Sequence, residues 1–159
     1  MAELIVLVGM IGCGKSTLSA KYAKDGYLVL NDDSIVNAVH GNNYLLYNKK
    51  HKSLYKHIGN TIFAFAAATN TNLIIDRTNL SKETRARYLS MAREFGMTAK
   101  CILFEPTKTP EEYALKRFNS DSRGATLETW NKVAKEHISQ YTKPTVEEGF
   151  TEVVAYEIT

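Results

Sequence analysis

Gly9-Met10-Ile11-Gly12-Cys13-Gly14-Lys15-Ser16 directly follows the apolar run Leu4 to Val8 and directly precedes Ser16 to Lys24, a stretch with helical spacing. The octet fits G-x-x-x-x-G-K-[ST], a Walker A P-loop, in the strand-loop-helix context that the pattern needs. Glycines let successive N–H groups face one concavity, and the helix N-terminus adds the positive end of its dipole. Lys15 then supplies a mobile charge for β- and γ-phosphates, and Ser16 an oxygen for magnesium. Gly9, Gly12, Cys13, Gly14 and Thr17 complete a loop expected to bind a nucleoside triphosphate, ATP first, together with Mg2+. Cys13 fills space there and has no redox task.

Working outward, strand-like and helical stretches alternate to both ends of the chain. Tyr27 to Leu30, Asn72 to Ile75, Lys100 to Phe104 and Thr151 to Tyr156 read as further strands. A helical stretch runs from about Lys49 to Thr69, with Leu54, Ile58, Ile62 and Phe65 spaced for one core face. Ser81 caps a helix that Gly96 ends, Thr109-Pro110 starts another toward Asn119, and Thr126 to Tyr141 forms a last one that Pro144 stops. Strands separated by helices imply an α/β fold with a parallel sheet covered on both faces. Ligands in such folds sit at the carboxyl ends of the strands.

The 159 residues, 44% of them hydrophobic, suffice for one domain, residues 1–159, and no linker or repeat divides them. A net charge of +3 leans only slightly toward anionic partners. The N-terminus lacks the pattern of a signal peptide, no apolar run is long enough for a bilayer, and Cys13 and Cys101 suit a reducing compartment. The expectation is a cytoplasmic protein without membrane contact. No D-x-x-G follows a strand and no N-K-x-D occurs, which counts against a GTP-driven switch, the main non-enzyme alternative.

Phosphoryl transfer needs an aligned acceptor oxygen, a base beside it, and cations where charge spreads over the γ-phosphate. Asp33 lies just beyond the second strand, where it could accept the proton of an attacking hydroxyl. Spacing alone suits Asp32 and Asp33 equally well to capping the next helix. Asp76 ends the apolar run Leu73-Ile74-Ile75 in the position of a Walker B acid, serving a magnesium-bound water or the acceptor, or else a turn residue bonded to Thr78 or Asn79. Arg117 and Arg123 bracket a polar, turn-forming stretch that could close over phosphates, although arginines on a solvated loop are commonplace.

Taken together and in order, Gly9 to Thr17, Asn31-Asp32-Asp33, Ile75-Asp76-Arg77-Thr78-Asn79, Arg85-Ala86-Arg87-Tyr88, Arg117-Phe118-Asn119 and Arg123-Gly124 resemble the kinase domain of polynucleotide 5′-hydroxyl kinases from phages and animal DNA-repair enzymes. The resemblance covers most of the chain. It implies a P-loop NTPase kinase fold: a central parallel sheet of about five strands in the order 2-3-1-4-5, helices on both faces, and a small lid at about residues 117–126. It also implies Lys15 and Ser16 on nucleotide and magnesium, Asp33 as general base, and Arg123, with Arg117, on the donor phosphates. Lys15, Asp33 and Arg123 are thus the expected catalytic set, and Asp33, Asp76, Arg77, Asn79 and Arg85 the expected acceptor set. Two positions differ from that family. Asp32 stands where it usually has arginine, and Val36 where the phage enzyme has an arginine near the acceptor phosphate.

The expected function is therefore ATP-dependent transfer to the 5′-hydroxyl of a DNA or RNA end, a step of nucleic-acid end processing. A small-molecule or nucleoside kinase of the same fold is the alternative. No D-x-D phosphatase motif is present, so 3′-phosphate removal is not expected. Lys49 to His57 concentrates lysines around Tyr55 at the start of the long helix, which fits a nucleic-acid surface or an ordinary solvated helix end. Arg85 and Arg87 are weaker candidates for that surface. His137 reads as a helix-face residue without chemistry, and Trp130 as packing.

Overall fold

Leu4 to Val8 are completely buried, as a strand covered on both faces must be, and they make up most of β1 (Glu3–Val8) in a computed structural model that describes residues 1–157. Parallel partners flank it, β3 (Leu73–Ile75) on one side and β4 (Thr98–Leu103) on the other. With β2 (Leu28–Leu30) beyond β3 and β5 (Glu152–Ala155) beyond β4, the five strands run in the order β2-β3-β1-β4-β5. That is the order which the polynucleotide kinase resemblance implies. The crossovers are built from α1 (Lys15–Lys24), α2 (Asp32–Val39), α3 (Lys52–Ala68), α4 (Lys82–Phe95), α5 (Pro110–Ser120) and α6 (Leu127–Gln140). Among the described residues no helix is long and apolar enough to cross a membrane.

Local chemistry sets where these helices start. Thr109 and Glu112 form a reciprocal capping box with Pro110 in the first turn of α5, and Ser81 accepts from the Thr84 amide at 3.2 Å to begin α4. α2 starts within the polar run after β2: the Asn31 side chain accepts from the Ser34 amide at 3.0 Å, so Asn31 is the cap and Asp32 and Asp33 occupy the first turn. Further along, a 3-10 turn at Lys49–His51 precedes α3, which begins three residues later than the basic pattern suggests.

The core face of α3 differs from the spacing expected. Phe63 and Ala66 are buried, Ile58 and Ile62 are half-buried, whereas Leu54 and Phe65 are 43% and 57% exposed. Residues 62–67 are apolar all round, so periodicity does not single out one face, and contact with the sheet decides it.

Arg85 shares the helical stripe of buried Tyr88, Leu89 and Ala92 and is itself 0% exposed. Its Nε and Nη2 donate to the Glu148 carboxylate at 2.9 and 3.1 Å, while Nη1 donates to the Asn79 and Leu80 carbonyls at 3.1 and 2.9 Å. Glu148 lies in a 3-10 turn, Val146–Glu148, so the pair anchors the segment entering β5 to α4. Burial in the same region pushes the Cys101 thiol up to about 12, which keeps it protonated.

A buried ion pair is costly to break on one side only. Arg85→Ala strands the Glu148 carboxylate and is expected to lower unfolding free energy by about 3–5 kcal/mol in urea titrations. Arg85→Met combined with Glu148→Leu should recover most of that loss. Unchanged stability of Arg85→Ala would show that the pair does not hold the fold.

Candidate active site

The P-loop runs from the carboxyl end of β1 to the first turn of α1. Close packing on both sides explains two of its glycines. A Cβ at Gly9 would come within 2.7 Å of Cys13 Sγ and 2.8 Å of Phe104 Cβ. At Gly12, with φ of +68°, it would lie 3.0 Å from the Tyr113 carbonyl oxygen and 3.1 Å from the Arg117 nitrogen. The loop is therefore seated directly on α5, the helix that carries Arg117. Lys15 is 8% exposed, and its ammonium donates to the Gly9 and Met10 carbonyls at 3.0 and 2.6 Å.

Asp76 emerges from β3 beside α1 and is 5% exposed. Its Oδ2 accepts from Ser16 Oγ at 3.2 Å and from Ser19 Oγ at 2.9 Å, so this carboxylate sits with the P-loop and is not a turn residue bonded to Thr78 or Asn79. Ser16 and Asp76 together offer the hard oxygen donors that suit Mg2+, which keeps waters and phosphate oxygens as its other ligands. They fit that ion, and Ser16 and Asp76 are the residues that would hold it or its waters.

Across the cavity, Asp33 projects from the first turn of α2 and forms an ion pair with Arg123. Arg123 lies on residues 121–126, the loop between α5 and α6, and its guanidinium stands 4.3 Å from the centre of the Tyr44 ring. Burial acts to lower the Arg123 guanidinium, but the hydrogen bond and charge of Asp33 outweigh it and raise it above its ordinary value. Arg117 stacks 4.6 Å over Trp130; burial, then repulsion from Arg123, pushes it below its ordinary value. Both arginines thus converge on one space, as a lid would require, although Arg117 belongs to helix α5 and only residues 121–126 form a loop.

A cavity of about 1080 Å³ joins these groups: Lys15, Ser16, Asp33, Asp76, Arg117 and Arg123 all line it. Gly12, Cys13, Gly14, Thr17 and Arg77 line it too, and Gly9 borders it through its carbonyl contact with Lys15. Arg77 pairs with Asp32 at 2.7 Å and donates to the Tyr88 hydroxyl. Two residues of the expected acceptor set are elsewhere. Arg85 is the buried partner of Glu148, and Asn79, 1% exposed, donates to the Leu7 carbonyl at 2.7 Å, stitching the β3 loop to β1.

Arg87, two residues on, faces the cavity where Arg85 does not. It lines the cavity, donates to Asn60 at 3.1 Å and lies 5.7 Å from the centre of the Tyr88 ring. Trp130 packs against the core as its reading implies, and both it and His137 of α6 also line the cavity. The signal was present in the spacing: Trp130, Ala134, His137 and Ile138 follow one helical stripe, so whatever faces the interior from α6 includes the histidine.

A match to the AAA domain family spans residues 4–134. The chain belongs to that family. Among AAA domain relatives, the bifunctional polynucleotide phosphatase/kinase of Schizosaccharomyces pombe is 27% identical over 154 residues, which is 95% of this chain and 32% of that protein. The chain thus spans about a third of the length of that relative. A fungal RNA kinase structure aligns with a TM-score of 0.64 at 16% identity, over 99% of this chain and 75% of that one. A gluconokinase from Sinorhizobium meliloti aligns with a TM-score of 0.59 at 15% identity, over 96% and 81% of the two chains. The AAA domain here accordingly has the fold of small P-loop kinases.

Burial, and after it the charge of Lys15, pushes His137 below its ordinary 6.5, so the ring is neutral at pH 7. Between the folded value and 6.5 the unfolded chain binds more protons, so stability is complete above pH 6.5 and falls as pH drops through that window. In thermal melts the parent should lose stability relative to His137→Gln as pH falls below 6.5. A difference independent of pH would contradict this environment for the imidazole.

Proposed function

We propose that this domain is an ATP-dependent kinase that moves the γ-phosphoryl group onto the 5′-hydroxyl of a DNA or RNA end. One observation carries the reading: a P-loop lysine and an α2 carboxylate paired with an arginine face the same cavity. The relationship to the S. pombe phosphatase/kinase supports the choice of acceptor. So does the cationic lining from Lys52, Lys56, Arg77 and Arg87. Both cysteines are free and buried, which suits a reducing, cytoplasmic setting.

Asp33 accepts the proton of the attacking hydroxyl as the new oxygen–phosphorus bond forms and the bond to the β,γ-bridging oxygen breaks, releasing the nucleoside diphosphate. Arg123 engages Asp33 through Oδ2, which leaves Oδ1 for that proton. Lys15, freed from the loop carbonyls, and Arg123 hold the charge that spreads over the transferred group, in a site where donors are already in position. Ser16 and Asp76 would hold Mg2+ or its waters, and the ion would supply neutralisation of phosphate charge. Gly12, Cys13, Gly14 and Thr17 present the loop backbone to the phosphates.

The test is transfer of labelled γ-phosphate from ATP to a 5′-hydroxyl oligonucleotide, beside nucleoside and gluconate controls, with Lys15→Ala as the blank. Label should appear on the oligonucleotide, and Asp33→Asn should lower turnover roughly 10²- to 10⁴-fold. A strand-binding site also loses acceptor affinity with salt, with a slope of about −0.7 per phosphate contacted. Label confined to nucleoside or gluconate, or full turnover by Asp33→Asn, would refute the reading.

A further inference from the structure

Three tyrosines, Tyr44, Tyr47 and Tyr55, also line the cavity. Their rings form a stepped series: Tyr44 and Tyr47 are 6.1 Å apart and 13° from parallel, Tyr47 and Tyr55 5.5 Å apart and 25° from parallel. Near-parallel rings in full face contact lie closer than that, so these are displaced sideways and overlap only in part. The series starts at the catalytic centre, because Arg123, partner of Asp33, stands over Tyr44. At its other end the Tyr55 hydroxyl is fixed by His40 Nε2 at 2.6 Å and by the Asn48 amide at 3.2 Å.

Core packing does not account for the first two rings. Tyr55 packs against the buried core, but Tyr44 and Tyr47 do not, and Tyr47 is 36% exposed on a segment whose neighbours Leu45 and Leu46 are exposed as well. Lys52 and Lys56, one helical turn apart on α3, line the cavity alongside them. Flat apolar faces next to a row of cations are what unpaired nucleotides require, bases on the rings and phosphates on the lysines.

We infer that Tyr44, Tyr47 and Tyr55 are a stacking platform for the first bases of an unpaired 5′ end. This rests on the proposed 5′-hydroxyl kinase reading and adds the strand state of its acceptor: single strands or 5′ overhangs, since bases stacked on tyrosine are not stacked within a duplex. Blunt and recessed 5′ ends are poor acceptors for the same reason.

The experiment measures acceptor KM for a single-stranded 5′-hydroxyl oligonucleotide, for the same strand with abasic sugars at its first positions, and for a recessed duplex end. Loss of the first bases should raise KM roughly five- to a hundredfold in the unaltered protein. Tyr47→Ala should cause a similar rise with no further effect of the abasic sugars, Tyr47→Trp should restore KM, and KM for ATP should not move. Phe65→Ala, on the solvent side of α3, is the control. If the oligonucleotide is phosphorylated but KM ignores both the abasic sugars and Tyr47→Ala, the platform is refuted and the kinase reading stands. If Lys15-dependent transfer reaches only small hydroxyl compounds, both are refuted.

Discussion

A strand buried on both faces can offer solvent only its ends. β1 is in that position, with Leu4 to Val8 fully covered, and its neighbours β3 and β4 run parallel to it. The polar groups at the carboxyl ends of these strands therefore collect along one edge of the sheet. Two contacts keep that edge in register. The Gly9 amide donates to the Thr78 carbonyl at 3.0 Å, and the Asp76 carboxylate holds Ser16 and Ser19. With the Asn79 bond to the Leu7 carbonyl they join the P-loop to the β3 loop, where Ser16 and Asp76 meet.

The electrostatics divide the cavity in two. On the P-loop side Lys15 and Asp76 are desolvated and bonded to near neighbours, and Lys15 has to exchange the Gly9 and Met10 carbonyls for an anion when one arrives. On the other side the pairs are half-open to water: Arg123 with Asp33, Arg77 with Asp32. Exposed pairs of this kind are individually weak. They are suited to being exchanged, with an arginine leaving a carboxylate for a phosphate.

Much of this was legible in the sequence, and the reason lies in where each residue sits. Asp76 follows directly on β3, and Lys15, Ser16 and Asp33 lie in the first turns of the helices after β1 and β2, where position along the chain determines position at the sheet edge. The strands and most helices were readable from apolar runs and capping residues such as Ser81 and Thr109. Residues whose role depends on helical rotation were harder. Arg85 and Arg87 are two positions apart on α4 and point to opposite sides, one to Glu148 and one to the cavity, and charge alone does not tell them apart. Asn79 looked like a site residue for its place in the chain, but its left-handed φ of 46° turns its side chain to the Leu7 carbonyl. The tyrosines between α2 and α3 were beyond reach, because loop geometry and not periodicity brings Tyr44 and Tyr47 beside Tyr55.

Catalysis in this account is a single direct displacement, assembled from a loop that holds the donor and a helix terminus that prepares the acceptor. No side chain near the P-loop is required as a covalent carrier of phosphate. The stereochemistry of transfer tests this most directly. With ATP made chiral at the γ-phosphorus by oxygen isotopes and a 5′-hydroxyl oligonucleotide as acceptor, the product phosphate should have inverted configuration. Retention of configuration would mean two successive displacements through the protein, and would contradict the direct attack assigned to Asp33 and Lys15.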